Sequence, residues 1–379
     1  MTSYKIYIDK LVLRELALPL KSPFLSGAGT ISTRRILLIE LWDREGCVGW
    51  GECVALDTPG YLPETIDTAW VALVEWLVPC AIGKSFGGPA DIYTALRAEV
   101  RGHNMALAAI EMAAWDLAAR QRSVSLATML GGTRDEVSTG IALGFQDSID
   151  ALLDQAEEAL AAGYARLRVK IGPGKDTALL EPLRARLGPD AALMADANGA
   201  YTLGDAELLR SLDVFALEML EQPLPWDDLV RHATLQPQLS TPICLDESLT
   251  GPDRVGDMIA LGAGRIVNLK PGRVGGFVPS LVIHDLCKAH GIPMWCGGML
   301  ESGIGRAHNV ALASLPGFTL PGDLSPSARY WSRDIVDPEW TMDAQGMVRV
   351  PRTDPGIGVA LDLERIEALT TRKQEFRAE

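Results

Sequence analysis

The sequence contains no run of the ~18 consecutive apolar residues that a membrane-spanning helix needs. It contains no C-x-x-C pair either. Cys47, Cys53, Cys80, Cys244, Cys287 and Cys296 are scattered, and in a chain of this length they read as reduced thiols in or near a core. No cluster of lysine and arginine stands out, and the net charge is −14. A phosphate-backbone binder needs concentrated positive charge, so nucleic acid is excluded as a general partner. Anionic small molecules are not excluded, because they respond to local charge. There is no low-complexity linker, and the opening MTSYKIYIDKLVLREL alternates like a charged strand rather than a signal peptide. These absences leave a soluble cytoplasmic enzyme as the expectation and a soluble binding protein as the alternative.

What is present is ordinary globular composition, 47% hydrophobic and 22% charged over 379 residues, enough for one large domain with an accessory one. KIYIDKLVLREL, RRILLIELWD and GCVGWGECVAL read as strands, with a hairpin turn at Arg44-Glu45-Gly46. PETIDTAWVALVEWLVPCAI and HNMALAAIEMAAWDLAARQ follow the 3.6-residue spacing of amphipathic helices. From Val137 onward, short apolar runs alternate with helical patterns. The runs are STGIALGF, ARLRVKI, AALMADA, FALEMLEQP, TPICLDES, RIVNLKP, IPMWCGG and, least clearly, GFTLPGD. Eight βα units predict a closed parallel barrel of the α/β class. The expected organisation is an α+β capping domain over 1–132, a barrel over 133–325, and a tail over 326–379 that packs back on the capping domain.

Five successive runs close on an ionisable residue: Lys170, Asp196, Glu221, Asp246 and Lys270, spaced 24 to 26 residues apart. In a barrel the C-terminal ends of all strands face one mouth, where active sites are built. Neighbouring strands lie about 4.8 Å apart, so five consecutive ends form an arc around one ligand. Three bare carboxylates in such an arc repel one another and raise one another's pKa. A divalent cation relieves that repulsion, and oxygen-only ligands favour Mg²⁺, with Mn²⁺ as a substitute. A lysine on each side of the metal suits proton removal from the carbon beside a bound carboxylate, the metal stabilising the enediolate. Any one strand-end acid or lysine can be a turn residue or a solvated one; five in this order at this spacing argue against that reading. Acidic strand ends also occur in barrels that bind sugar phosphates.

At these residues the sequence resembles the enolase superfamily, muconate-lactonizing subgroup, and within it the o-succinylbenzoate synthase / N-acylamino acid racemase family. The segments that carry the resemblance include GWGECVAL, RVKIGPG, ADANGAYT, LEQPL, TPICLDES, IVNLKPGRVGG, WCGGMLESGIGRAHNVALASLP and FTLPGDLSPS, nearly end to end. The resemblance implies an α+β cap over a modified TIM barrel, formed from both chain ends. By position it implies Asp196, Glu221 and Asp246 as metal ligands and Lys170 and Lys270 as the acid/base pair on opposite faces of a small carboxylate substrate. Arg168 and Asn198 fall where the family supports the substrate carboxylate and the base. Phe24 and Tyr61 correspond to cap loops over the substrate side chain, with Leu300 and Tyr330 lining the same pocket; ordinary core packing is the alternative for these four. Glu247 is expected to support ligand Asp246. Arg273 would tune Lys270 or hold acidic neighbours, or else lie on the surface. The family forms oligomers, so a homo-oligomer is expected.

Two positions depart from the family. Arg168 stands where it usually has a lysine, exchanging an ammonium for a rigid fork, and Ala142 where it often has a serine. Two activities share such a site. Racemisation of N-acyl, especially N-succinyl, amino acids needs both lysines. Syn elimination of water to o-succinylbenzoate in menaquinone synthesis needs only Lys170 as acid and base. The retained lysines favour racemisation, or an enzyme doing both. Dipeptide epimerisation fits less well, since WCGGMLESG lacks the acidic specificity residues expected late in the barrel. A non-catalytic carboxylate-binding barrel would not need two proton carriers.

Overall fold

A computed structural model describes residues 5–26, 29–144, 146 and 148–379, without the side chains of 24–26, 29 and 30. The strands Lys10–Ser26, Gly29–Trp42 and Val48–Cys53 form an antiparallel meander. Asp43 shapes the turn after the second of these, its carboxylate accepting from the Glu45 and Cys47 amides, while Gly46 takes the left-handed φ of +83°. The helix Asn104–Gln121 lies directly on the third strand. Its close seat requires the glycines of GWGEC: a Cβ at Gly51 would stand 2.0 Å from the Ala109 carbonyl, and one at Gly49 2.2 Å from that of Ala113. The helix is buried nearly all round, which explains its largely apolar, alanine-rich sequence.

Seven parallel strands follow in chain order around one curled sheet: Ile141–Leu143, Leu167–Lys170, Leu193–Asp196, Leu220–Glu221, Ile243–Leu245, Ile266–Leu269 and Met294–Cys296. The eighth run is not a regular strand. It closes the ring through isolated parallel bridges, Phe318 to Met294 on one side and Gly322 to Thr139 on the other. The amides of Asp323 and Gly140 complete the seam, donating to Cys296 and Gly322 at 2.8 and 2.7 Å. Pro316 and Pro321 explain the irregularity, since neither can donate to a ladder. Inside the barrel Trp295 packs with Met194, Met219, Cys244 and Ile266, and the Arg166 guanidinium lies 4.5 Å from its ring centroid.

Several elements were not expected from the sequence, two of them in the capping layer. Helix Pro89–Glu99 precedes the long capping helix, and strand Thr370–Arg377 pairs antiparallel with Lys10–Ser26 as the outer strand of the capping sheet. The tail also carries a short polar helix, Leu363–Leu369. Glu52 and Glu111 join the capping layer to barrel helices. Glu52 accepts from the Ser302 and Gly305 amides and Glu111 from those of Phe277 and Val278, each carboxylate meeting a helix N-terminus.

Candidate active site

The five strand-end residues converge as the barrel register dictates. Lys170 stands opposite Asp196 across the second and third strands, and Asp196 opposite Glu221 across the third and fourth. Asp246 follows the fifth strand and Lys270 the sixth. Pro271 stops the sixth strand by opening a short helical turn, Pro271–Val274, which presents Lys270 at the mouth. Gly272 in that turn must lack a side chain, because a Cβ would lie 2.6 Å from Val54 of the capping domain.

Each carboxylate faces a cation. Lys170 Nζ is 3.1 Å from Asp196 Oδ2 and also donates to the Asn198 side-chain oxygen. Asn198 sits in the left-handed region at φ +41°, which asparagine tolerates, and its Nδ2 donates to Glu247 at 2.9 Å. Arg168 lies 3.3 Å from Glu221, which also accepts from Asn268 at 2.7 Å. Lys270 Nζ is 2.8 Å from Asp246 and donates to the Tyr61 hydroxyl at 3.0 Å. Tyr61 in turn donates to Asp246 at 3.0 Å. Arg273 is fully buried, bonded to Asp246 and, through two further nitrogens, to the Leu249 and Asn268 carbonyls at 2.8 and 2.5 Å. It is an internal cation and not a surface one.

The pKa shifts follow this arrangement. Burial pushes Asp196 up, but Lys170 and Arg168 outweigh it and hold the carboxyl below its ordinary value. Burial, with repulsion from Asp196, raises Glu247 to about 7. Lys270 is raised: burial works against its charge, but Tyr61 and Glu221 more than compensate. Arg168 is raised despite burial by Glu221, Asp323 and Asp196.

One cavity opens on Lys170, Lys270, Asp196 and Asp246. Tyr61, Leu300 and Tyr330 are among its walls, together with Asn198, Arg168 and Ala142. Leu300 has a left-handed φ of +56°, an uncommon conformation for leucine, which places it at this wall on the loop after the seventh strand. Glu221, Glu247 and Arg273 lie buried behind the surface. The side chain of Phe24 lies outside the described residues. Two side chains at the mouth were missed in the sequence. Asn268 shares the strand period of two with Lys270, and Asp323 closes the eighth run and stands in the cavity wall. An acid late in the barrel therefore lines the cavity from 317–323, whereas Glu301 in 295–303 is buried and accepts from the Met299 amide and Asn309 Nδ2 at 2.8 Å each.

Among the described residues, no three metal-ligating side chains are gathered tightly enough to hold an ion as they stand. The acids are turned to Lys170, Arg168, Lys270 and Arg273 instead. Their chemistry fits a hard divalent cation: three carboxylates on consecutive strand ends, with a fourth, Glu247, whose buried Oε2 has no partner.

Two family models match the chain: "Enolase C-terminal domain-like" over residues 151–366, and "Mandelate racemase / muconate lactonizing enzyme, N-terminal domain" over 8–131. The chain belongs to the enolase superfamily. It is an enzyme of that superfamily's racemase and lyase type. It is 48% identical to an o-succinylbenzoate synthase of Geobacillus kaustophilus, covering 96% of each chain. It is 46% identical to an N-succinylamino acid racemase of Amycolatopsis sp, covering 95% of this chain and 97% of that one. An enolase-superfamily crystal structure from Listeria innocua superposes with a TM-score of 0.94 at 39% identity, covering 99% of this chain and 100% of that one. Enolase-superfamily enzymes are generally Mg²⁺-dependent, in keeping with the oxygen donors at this barrel mouth. No helix among the described residues is long and apolar enough to cross a membrane.

Proposed function

We propose that this enzyme removes and returns the proton α to a carboxylate, racemising N-acyl, and in particular N-succinyl, amino acids. The observation that carries this reading is a single cavity bearing two lysines, each paired with a different strand-end carboxylate. One lysine, neutral, takes the α-proton from one face; the other, as an ammonium, delivers a proton to the opposite face. Syn dehydration to o-succinylbenzoate, the reaction named for a relative at 48% identity, is the second reading and can share the site.

Asp196, Glu221 and Asp246 are the residues we assign to Mg²⁺, with Mn²⁺ as a substitute. When bound, the ion supplies positive charge opposite the substrate carboxylate as negative charge builds there. Arg168 and Asn198 hold the carboxylate and Lys170 in place. Tyr61 orients Lys270, and Tyr61, Leu300 and Tyr330 enclose the substrate side chain. Glu247 and Arg273 support Asn198 and Asp246. The cap is assigned to 1–132 and 326–379 and the barrel to 133–325, with pairing of Thr370–Arg377 to Lys10–Ser26 in support. The six free thiols fit a reducing cytoplasm. A homo-oligomer is proposed on the partly exposed Val71 and Trp76 of the consecutive helical segments Ile66–Ala72 and Leu73–Leu77.

Proton NMR of N-succinyl-L-phenylalanine in D₂O, with and without Mg²⁺, tests the reading. Loss of the α-proton signal only with metal, with the D-enantiomer appearing, is expected. Absence of exchange, together with dehydration of the cyclohexadienyl precursor of o-succinylbenzoate, would favour the second reading.

A further inference from the structure

Asp323 closes the eighth run on the cavity wall, and its carboxylate is only half used. Oδ2 takes a hydrogen bond from Arg168 Nη2 at 2.7 Å. Oδ1 is buried and has no partner. The residue is 7% exposed and lines the same cavity as Lys170 and Lys270. Its main chain is pinned on both sides: the amide donates to the Cys296 carbonyl at 2.8 Å, and the carbonyl accepts from Arg306 at 2.5 Å. Gly298 leaves room for the carboxylate, since a Cβ there would lie 3.3 Å from Asp323 Cγ. The oxygen is therefore held in place rather than free to seek a donor.

A buried carboxylate oxygen without a donor is costly, and nothing on the protein side is placed to serve it. Arg168 spends its other terminal nitrogen on Glu221. Ala142, beside Arg168 in the register of the first two strands, has no hydroxyl to offer. The missing donor must come from what fills the cavity. An acylated α-amino acid carries one N–H on its α-carbon, and its carboxylates donate nothing at neutral pH.

We propose that Asp323 Oδ1 accepts a hydrogen bond from the substrate amide N–H and thereby selects amides over isosteric carboxylates that lack a donor at that atom. This deepens the racemase reading and rests on it. Arg168 is the positioning partner: its planar fork reaches Glu221 and Asp323 together, which the single ammonium of lysine is not shaped to do.

The test compares N-succinylphenylalanine with its ester isostere, O-succinyl-3-phenyllactate, in α-proton exchange in D₂O with Mg²⁺. The intrinsic acidity difference between the two compounds cancels when the amide-to-ester ratio of kcat/KM is compared between parent and variant. The ratio should fall about 10- to 100-fold in Asp323→Ala, the range for a hydrogen bond to a charged group, and less in Asp323→Asn, which keeps an acceptor. A merely structural role, through loss of the Arg168 anchor, would slow both compounds equally. An unchanged ratio in both variants overturns the proposal. If neither variant folds by circular dichroism, an amide-to-ester ratio of kcat/KM in the parent no larger than the ratio of the two compounds' uncatalysed exchange rates overturns it instead. Exchange of both compounds with no preference beyond that uncatalysed ratio leaves racemisation standing and removes only this proposal. Exchange of neither removes both.

Discussion

Lys270 shares Asp246 with a fully buried guanidinium and takes the Tyr61 hydroxyl as well, whereas Lys170 is held by Asp196 and the Asn198 side chain. The side chain of Lys170 keeps 11% of its exposure and that of Lys270 only 6%. The two lysines proposed as proton carriers are thus set in unlike surroundings. On the Lys270 side the carboxylate carries two cations, so its negative charge is largely spent. On the Lys170 side Asp196 also meets two cations, Lys170 at 3.1 Å and Arg168 more loosely at 3.8 Å, and it is linked through Asn198 to Glu247, an acid raised to about 7. In the proposed reaction, then, opposite faces of a planar intermediate are served without mirror-image supports. Each face needs only a lysine whose charge is balanced locally.

The largest way to break the comparison is to remove the fully buried guanidinium. Arg273→Met leaves Asp246 with one partner fewer and strips donors from the Leu249 and Asn268 carbonyls. We expect about 3 kcal/mol lower stability in urea unfolding, the scale for breaking a buried ion pair, against about 1 kcal/mol for Asn198→Ala on the other side. Equal losses would mean that the two corners are energetically alike.

A smaller change acts on function. Tyr61→Phe removes the hydroxyl that links Lys270 to Asp246, and should slow racemisation about 10-fold. Because enantiomers are equal in energy, kcat/KM must fall equally in both directions. Exchange with retention on the Lys170 face should fall less, and deuterium incorporation into recovered substrate reads it. Arg168→Lys should also cost about 10-fold in kcat/KM, since an ammonium holds Glu221 or Asp323 but not both. Retention of full activity in this variant would mean the fork is dispensable.

The smallest expected effect lies between the corners, under the loop that follows Glu221. Buried His232 accepts from the Leu224 amide at 3.2 Å, and its Nδ1 meets the Asp228 carbonyl at 2.8 Å, so the neutral ring satisfies both neighbours. Burial pushes its pKa down to about 4, from an ordinary 6.5. The unfolded chain then binds a proton that the folded one refuses. The contribution of His232 is complete above pH 6.5 and is lost as pH falls through about 4. NMR titration of the imidazole should show it neutral at pH 5; a midpoint near 6.5 would contradict the contact geometry.

Much of this was legible in the sequence for one physical reason. Barrel strands are short and apolar, so an ionisable residue at each end, recurring every 24 to 26 positions, marks the mouth in the linear pattern of residues alone. The capping meander was legible from its alternation and from Arg44-Glu45-Gly46. Strand Thr370–Arg377 was not, because TTRKQEFR is an outer strand that buries little and carries charge along its exposed edge. The eighth run was faint because its prolines and glycines replace a ladder by two bridges. That also hid Asp323, whose importance depends on closing the ring beside Arg168. Arg273 read equally as a surface residue because a Pro-Gly turn usually points to solvent. Here the turn packs under Val54 of the cap, and its arginine turns inward.

The central claim is that Lys170 and Lys270 work on opposite faces of one carbon. The most direct measurement follows α-proton exchange of separate N-succinyl-L- and N-succinyl-D-phenylalanine in D₂O with Lys170→Ala and Lys270→Ala. Both variants should lose racemisation by at least about 10²-fold. Each should still exchange one enantiomer, and the two should exchange opposite ones. Racemisation at the parent rate in both variants, or exchange of the same enantiomer by both, would contradict the account.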